Sequence, residues 1–304
     1  MKKLISTLLI TLIAQPAFSA LILKNEPYGH ISLRTGVYLE QNSSQFKGCV
    51  LFLQGLGDSI RNHDPLFLSL SRAGYRTITF DYLGQGGSEG SMNQTRVIDS
   101  RLSSQRSILY QATWAWNLFS HKTMNGHNCS TSKKRVIGWS TGGLAAYILA
   151  ADQWADSVVL IAPGLHIKPF VGEASSNWLK MNGVSETITL ETLTHVPYRG
   201  AQDPHKDPIK PNSPAKAPLF ALNLLSSSIV AQKLNVPASV HGLVFLSGVN
   251  DTYVARNKTI ETIKKNANHF EIVAYKNALH EIDNEIEPIA KHLRESTIDF
   301  LERH

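Results

Sequence analysis

The sequence predicts an α/β architecture: a mostly parallel sheet with helices on both faces and a helical cap inserted late in the chain. Three observations carry that expectation. Short apolar runs alternate with helical patterns from residue 48 onward. Several of these runs are continuous rather than alternating, as in strands buried on both faces. Between two neighbouring runs lie about eighty residues, too many for a plain loop. With 304 residues, 42% of them hydrophobic, the chain can bury one sizeable core.

The opening residues, MKKLISTLLITLIAQPAFSA, place Lys2 and Lys3 before an apolar stretch from Leu4 to Ala14. The small pair Ala17 and Ser19 follows, which is the grammar of a secretory signal peptide over residues 1–19, cut after Ser19. The apolar stretch is short for a bilayer span, so a periplasmic or secreted protein is expected. Removing these residues takes away Lys2, Lys3 and no acid, leaving +4 of the +6 formal charge. That mild excess allows transient contact with anionic membrane surfaces. No basic run is interleaved with aromatics, so nucleic acid is not an expected partner. Export also makes Cys49 and Cys129 a candidate disulfide pair.

Each element follows from its pattern. CVLFLQG reads as a buried strand, DPLFLSLSRAGY as a helix closed by Gly74, and RTITFDY as the next strand. A longer helix is expected through RLSSQRSILYQATWAWNLF, then a strand in KRVIGWS and a helix in TGGLAAYILAADQW. DSVVLIAPG and GLVFLSG are the two runs that flank the long insertion, in which NWLKMNGV and LFALNLLSSSIV surround a Pro- and Lys-containing connector. FEIVAY is the last strand, and Ile286, Ile289, Leu293 and Phe300 share a face of the final helix. The expected division is a core of residues 20–163 and 240–304 with a cap at 164–239.

Within RVIGWSTGGLAAY, the pentapeptide Gly-Trp-Ser-Thr-Gly puts Ser140 on a strand-to-helix turn. A serine hydroxyl is a poor nucleophile and needs a base, a partner to orient that base, and donors for the oxyanion. Gly138, Gly142 and Gly143 leave clearance around Ser140. Thr141 supplies one oxyanion N–H, and the loop LQGLGDS supplies the second, from Leu56. His280 follows the last strand and precedes the last helix, where a loop can carry it over the serine; His269 falls at the other end of that strand. Asp251, after GLVFLSG, is the acid of choice, with Asp283 as the fallback.

These residues resemble the α/β-hydrolases, in the branch containing monoacylglycerol lipases, lysophospholipases and serine aminopeptidase-like hydrolases. The resemblance runs from about Gly48 to the C-terminus and rests on LQGLGDS, FDYLGQGGSEG, GWSTGG, SGVNDTYV and ALHEIDNE. The second stretch is similar to the family's Asp-x-x-Gly-x-Gly-x-Ser-x-Gly loop, here Asp81, Gly84, Gly86, Ser88 and Gly90. The last is similar to its His-Glu and Asn-Glu pairs, here His280, Glu281, Asn284 and Glu285. Gln54 and Gln85 stand where the family commonly has histidine. The resemblance implies the α/β-hydrolase fold with the CVLFL and KRVIG strands adjacent, so that Cys49 and Cys129 lie at one end of the sheet.

The expected activity is hydrolysis of a carboxylic ester through an acyl-enzyme, with Ser140, Asp251 and His280 as triad and no metal or organic cofactor. Apolar residues of the insertion, Phe170, Trp178, Leu179, Met181, Phe220, Leu222 and Leu224, with Trp139 before the serine, suggest an acyl chain as ligand; packing onto the core is the other reading for them. A monoacylglycerol or lysophospholipid fits. Two alternatives stand: an aminopeptidase or amidase on the same triad, with Glu173, Glu186 or Glu191 holding a substrate ammonium, and a non-catalytic binding protein.

Overall fold

The computed structural model describes residues 21–99, 104–168, 193–196 and 217–304. Eight strands form one sheet: β1 (Leu21–Tyr28), β2 (Ile31–Tyr38), β3 (Gly48–Leu53), β4 (Tyr75–Phe80), β5 (Arg135–Trp139), β6 (Ser157–Ile161), β7 (His241–Leu246) and β8 (Glu271–Ala274). Their spatial order is β1-β2-β4-β3-β5-β6-β7-β8. The hairpin β1–β2 and the β2–β4 pair are antiparallel, and every other pair is parallel.

Period-2 alternation sends neighbouring residues of each buried strand to opposite faces. Leu51 and Leu53 of β3, with Val158 and Leu160 of β6, join one apolar cluster, while Val50, Phe52, Val159 and Ile161 join the other. The first cluster receives α2 (Ile108–Ser120), α3 (Thr141–Ala151) and α4 (Pro218–Ala231), together with Ile263 of α5 (Arg256–Asn266). On the second face α1 (Asp64–Arg72) and α6 (Ile289–Arg303) contribute Leu66, Phe67, Leu70, Leu293 and Phe300. Both faces are therefore closed, which is why the central strands read as unbroken apolar runs.

Three elements differ from the pattern-based expectation. The helix expected from Arg101 begins at Ile108, because Arg96 pairs with the chain there: its N–H donates to the Arg106 carbonyl, and its own carbonyl accepts from the Ile108 N–H at 2.7 Å. Ile286 lies before the last helix and is exposed, since the helix starts only after Pro288, whose ring blocks helical continuation on its N-terminal side. Pro218–Ala231, expected within the cap, is the crossover helix that a parallel β6-to-β7 connection requires. It packs on the sheet domain through Phe220, Leu224 and Ala231, and Ser228 Oγ donates to the Leu165 carbonyl at 2.7 Å.

The buried residues Cys49, in β3, and Cys129, ahead of β5, form a disulfide with Cα atoms 5.8 Å apart. It closes a sequence separation of 80 residues, which in the chain-entropy account stabilises the fold by about 4.5 kcal/mol. Replacing both cysteines by alanine is expected to lower the unfolding free energy by about that amount in urea titrations. Neither cysteine should take up an alkylating reagent before reduction, as read by intact mass.

Candidate active site

Ser140 sits where β5 ends and α3 begins, with φ 54° and ψ −113°, a region that a non-glycine residue rarely occupies. Its backbone is held on both sides: the Ser140 N–H donates to the Ile161 carbonyl, and the Ser140 carbonyl accepts from Gly164 and Leu144. Glycine is required around it by close approach. A Cβ on Gly142 would lie 1.9 Å from the Leu53 carbonyl oxygen, and one on Gly138 2.2 Å from the Gly142 oxygen. The strained turn lifts the side chain off the sheet toward the loops beyond β7 and β8.

His280 arrives from the loop between β8 and α6, and its Nε2 lies 2.8 Å from Ser140 Oγ. On the other side of the ring, Nδ1 donates to Asp251 Oδ2 at 2.8 Å. Asp251 is fully buried, with Oδ1 accepting from the Tyr253 and Val254 amides and Oδ2 also from Ser247 Oγ. Burial would raise its carboxyl pKa, but the facing His280 and these donors win and draw it down to about 2. Trp139 fixes the ring's distance from the sheet: its indole N–H donates to the His280 carbonyl at 3.0 Å.

A cavity opens over Ser140. Leu56 and Thr141 line it, the latter as the first residue of α3, where backbone N–H groups lack intrahelical partners. Ile167, Leu193, Leu224 and Val254 form apolar wall, and Asp58, Asn62 and Glu281 form a polar part. Two described pieces of the inserted segment are tied to the loops that carry Asp251 and His280. Lys168 N–H donates to the Tyr253 carbonyl at 2.7 Å beside the acid, and Glu281 N–H donates to the Leu193 carbonyl at 2.8 Å beside the base.

A family model described as serine aminopeptidase, S33, matches residues 44–287, most of the chain and all of this site. The chain belongs to the serine aminopeptidase S33 family. No curated protein sequence matches it significantly. Among solved structures, this S33 chain is similar to a soluble variant of the monoglyceride lipase of Saccharomyces cerevisiae, crystallised with a substrate analogue. The TM-score is 0.69 at 15% identity, covering 95% of this chain and 97% of that one. It is also similar to the monoacylglycerol lipase of Paleococcus ferrophilus, with TM-score 0.62, 18% identity, and 90% and 99% covered. A third likeness is to Est1E from Butyrivibrio proteoclasticus with bound ferulic acid, with TM-score 0.59, 14% identity, and 92% and 99% covered. At such identities the likeness is one of fold, and the fold is that of the α/β-hydrolases.

Gln85 and Gln54, the two positions where the resemblance leads one to expect histidine, both bond the loop after β3. Gln85 Oε1 accepts from the Gly57 N–H at 2.6 Å, and Gln54 Nε2 donates to the Asp58 carbonyl at 3.2 Å. Asp81 adds a second tie, since its Oδ1 accepts from the Ile60 amide. Motif residues beyond His280 brace the base. Asn284 Nδ2 donates to Glu281 Oε1 and to the Asn62 carbonyl, while Glu285 Oε1 accepts from the Leu279 amide and lies 2.8 Å from His195 Nδ1.

Sequence reasoning missed a buried polar cluster behind the triad. His63 Nε2 lies 2.6 Å from Asp58 Oδ2 and Nδ1 lies 2.5 Å from Asp283 Oδ2, all three buried. Burial opposes the imidazolium, but the charges of Asp283 and Asp58 outweigh it and hold the His63 pKa well above its ordinary value. His63 thus clamps the loop after β3 to the loop that carries His280. Asp283, the fallback acid, serves this clamp and does not touch His280. The one signal in sequence is the density of polar residues in DSIRNHD, directly after the oxyanion loop.

Other expected site residues divide. Trp139 lines the cavity, as does Leu224. Phe220 does not: it is fully buried in the core, because its position on α4 faces the sheet, and Leu222 is exposed. Phe170, Trp178, Leu179, Met181, Glu173, Glu186 and Glu191 lie outside the described residues. His269, at the far end of β8, meets the Val240 carbonyl. Among the described residues no group of His, Cys, Asp and Glu is arranged to hold a metal ion, and no helix is long and apolar enough to cross a membrane.

Glu281 gives the cluster a pH signature. Burial first, then the charges of Asp283 and Asp58, push its carboxyl up to about 8 from 4.5, against the pull of His63 and Asn284. Between those values the folded chain keeps a proton that the unfolded chain has released, so stability falls as pH rises through this window. Glu281→Gln is expected to flatten that slope in urea midpoints measured from pH 5 to 8. His63→Ala leaves two buried carboxylates without their cation and is expected to lose about 3–5 kcal/mol of stability.

Proposed function

We propose that the protein is a serine hydrolase that cleaves carboxylic esters through an acyl-enzyme. The observation that carries this reading is the pair of 2.8 Å contacts joining Ser140 Oγ to His280 Nε2 and His280 Nδ1 to Asp251, at the wall of a largely apolar cavity. Ser140 Oγ attacks the ester carbonyl as its proton passes to His280 Nε2. The oxyanion is held by the N–H groups of Leu56 and Thr141. Collapse expels the alcohol with the proton from Nε2 and leaves Ser140 acylated. Water, deprotonated by the same nitrogen, then attacks the acyl group and frees the acid and the serine. Asp251 keeps Nδ1 protonated and stabilises the imidazolium that forms twice per cycle. This chemistry needs no metal or organic cofactor.

Ile167, Leu193, Leu224 and Val254 support an acyl chain as the ligand, and a lipid-derived monoester of the monoacylglycerol or lysophospholipid class as substrate. Such a substrate brings transient contact with a membrane surface. Export to the periplasm or medium is part of the reading. It is supported by the signal-like residues 1–19 and by the Cys49–Cys129 disulfide, which an oxidising compartment favours. Residues 164–239, apart from the crossover helix, are proposed to form the cap over the site. The family's description favours a second reading, an aminopeptidase on the same three side chains.

A fluorophosphonate probe is expected to label wild type and not Ser140→Ala. Asp251→Asn, which disturbs the His280 tautomer, should lower kcat roughly 10⁴-fold with little change in KM. In a panel of p-nitrophenyl esters and aminoacyl anilides, medium-chain esters should turn over faster. Faster anilide turnover establishes the peptidase reading instead, and equal labelling of Ser140→Ala removes the mechanism.

A further inference from the structure

The polar part of the cavity wall is acidic in composition. Asp58 comes from the loop after β3 and Glu281 from the base loop, and both line the cavity beside Ser140. They belong to one continuous patch: Asn62 Nδ2 donates to Asp58 Oδ1 at 2.5 Å, and Asn284 Nδ2 joins the Asn62 carbonyl to Glu281 Oε1. Behind them His63 is shared between Asp58 and Asp283, so two carboxylates face one imidazolium and the trio keeps a net negative charge. No Lys or Arg lines the cavity among the described residues.

Glu281 has spare bonding capacity. The residue is 2% exposed and its Oε1 is engaged by Asn284, yet Oε2 has no hydrogen-bond partner among the described residues. A buried unpaired oxygen on a residue that lines the cavity is a contact that the protein itself leaves unmade. With the acyl chain on the apolar wall of Ile167, Leu193, Leu224 and Val254, the group that departs from the acyl-serine meets the acidic patch.

We infer that Asp58 and Glu281 form a charge-selecting subsite for the leaving group, which prefers a cationic amino alcohol to a neutral alcohol of the same shape and disfavours an anionic one. The inference rests on the ester-hydrolase reading above and narrows it: an alcohol bearing a phosphate close to the scissile ester is a poor substrate. Like charge brought into a desolvated site is strongly unfavourable, whereas opposite charge is attracted and steered. The groups that set the field are Asp58, Glu281, Asp283 and His63, with the His280–Asp251 pair on the same cavity and the Lys168 ammonium, which donates to the Asp251 carbonyl, beside it. Because Glu281 holds its proton to about pH 8, the patch gains a further negative charge above that value.

The test uses three esters of one medium-chain acid: the choline ester, its uncharged isostere the 3,3-dimethylbutyl ester, and the anionic 3-sulfopropyl ester. At pH 7 and low salt, kcat/KM is expected to fall in that order by on the order of tenfold per step. Added salt should compress the series without slowing the neutral ester. The cation preference should widen from pH 7 to 9 in wild type and stay constant in Glu281→Gln, while Asp58→Asn should shrink it at pH 7. Equal kcat/KM on all three esters, or a preference indifferent to salt, overturns the subsite while leaving ester hydrolysis standing. No turnover of any of the three, with anilides cleaved instead, overturns the ester reading beneath it.

Discussion

The left-handed backbone at Ser140 is the constraint from which the rest of the site follows. A chain that passes from a buried strand to a buried helix in one residue must take a conformation that side chains disfavour, and it holds that conformation only if the neighbours are small. Gly138 and Gly142 satisfy this against the Gly142 and Leu53 oxygens respectively. The Ile161 carbonyl, which accepts from the Ser140 N–H, and the Gly164 and Leu144 amides, which donate to the Ser140 carbonyl, overdetermine the turn. The strain places one hydroxyl at the rim of the sheet, beside the N-terminal amides of α3, where the loops after neighbouring strands converge. Parallel strand order then decides which loops those are: β3 delivers Leu56, β7 delivers Asp251 and β8 delivers His280.

Loops are ordinarily the least fixed parts of a fold, so their alignment needs its own physical cause. Here the cause is a set of buried polar ties. Gln85 and Asp81 hold the loop after β3 from one side, and His63 binds it to the loop that carries His280 from the other. Such a network is expensive to desolvate and is a poor source of net stability. Its worth lies in specificity of position, since two loops distant in sequence are held against each other beside the cavity that Ser140 lines. Two described pieces of the inserted segment, at Lys168 and Leu193, are bonded to the loops that carry Asp251 and His280.

Much of the sheet was legible because β3 to β7 are buried on both faces and write themselves as apolar runs bounded by turns. The hairpin β1–β2 was not, since β1 is an edge strand with most of its residues partly or fully exposed and no run to see. That Ser140, Asp251 and His280 meet was legible because each follows a recognisable strand in a fixed chain order. His63 was not: its partner Asp283 is 220 positions away, and no local pattern encodes a pair at that distance. Phe220 was misplaced for a related reason. Apolar helical spacing marks a buried face without saying whether a core or a ligand covers it, and only the need for a β6-to-β7 crossover helix decides that.

Covalent capture of the intermediate bears most directly on the central claim. Mixed with a slowly deacylated ester and acid-quenched within the first turnovers, the protein should gain the mass of one acyl group. Peptide mapping should place it on the segment holding Ser140, with no such adduct in Ser140→Ala. Steady ester turnover with the chain unmodified throughout, or an acyl group on any other residue, would contradict it.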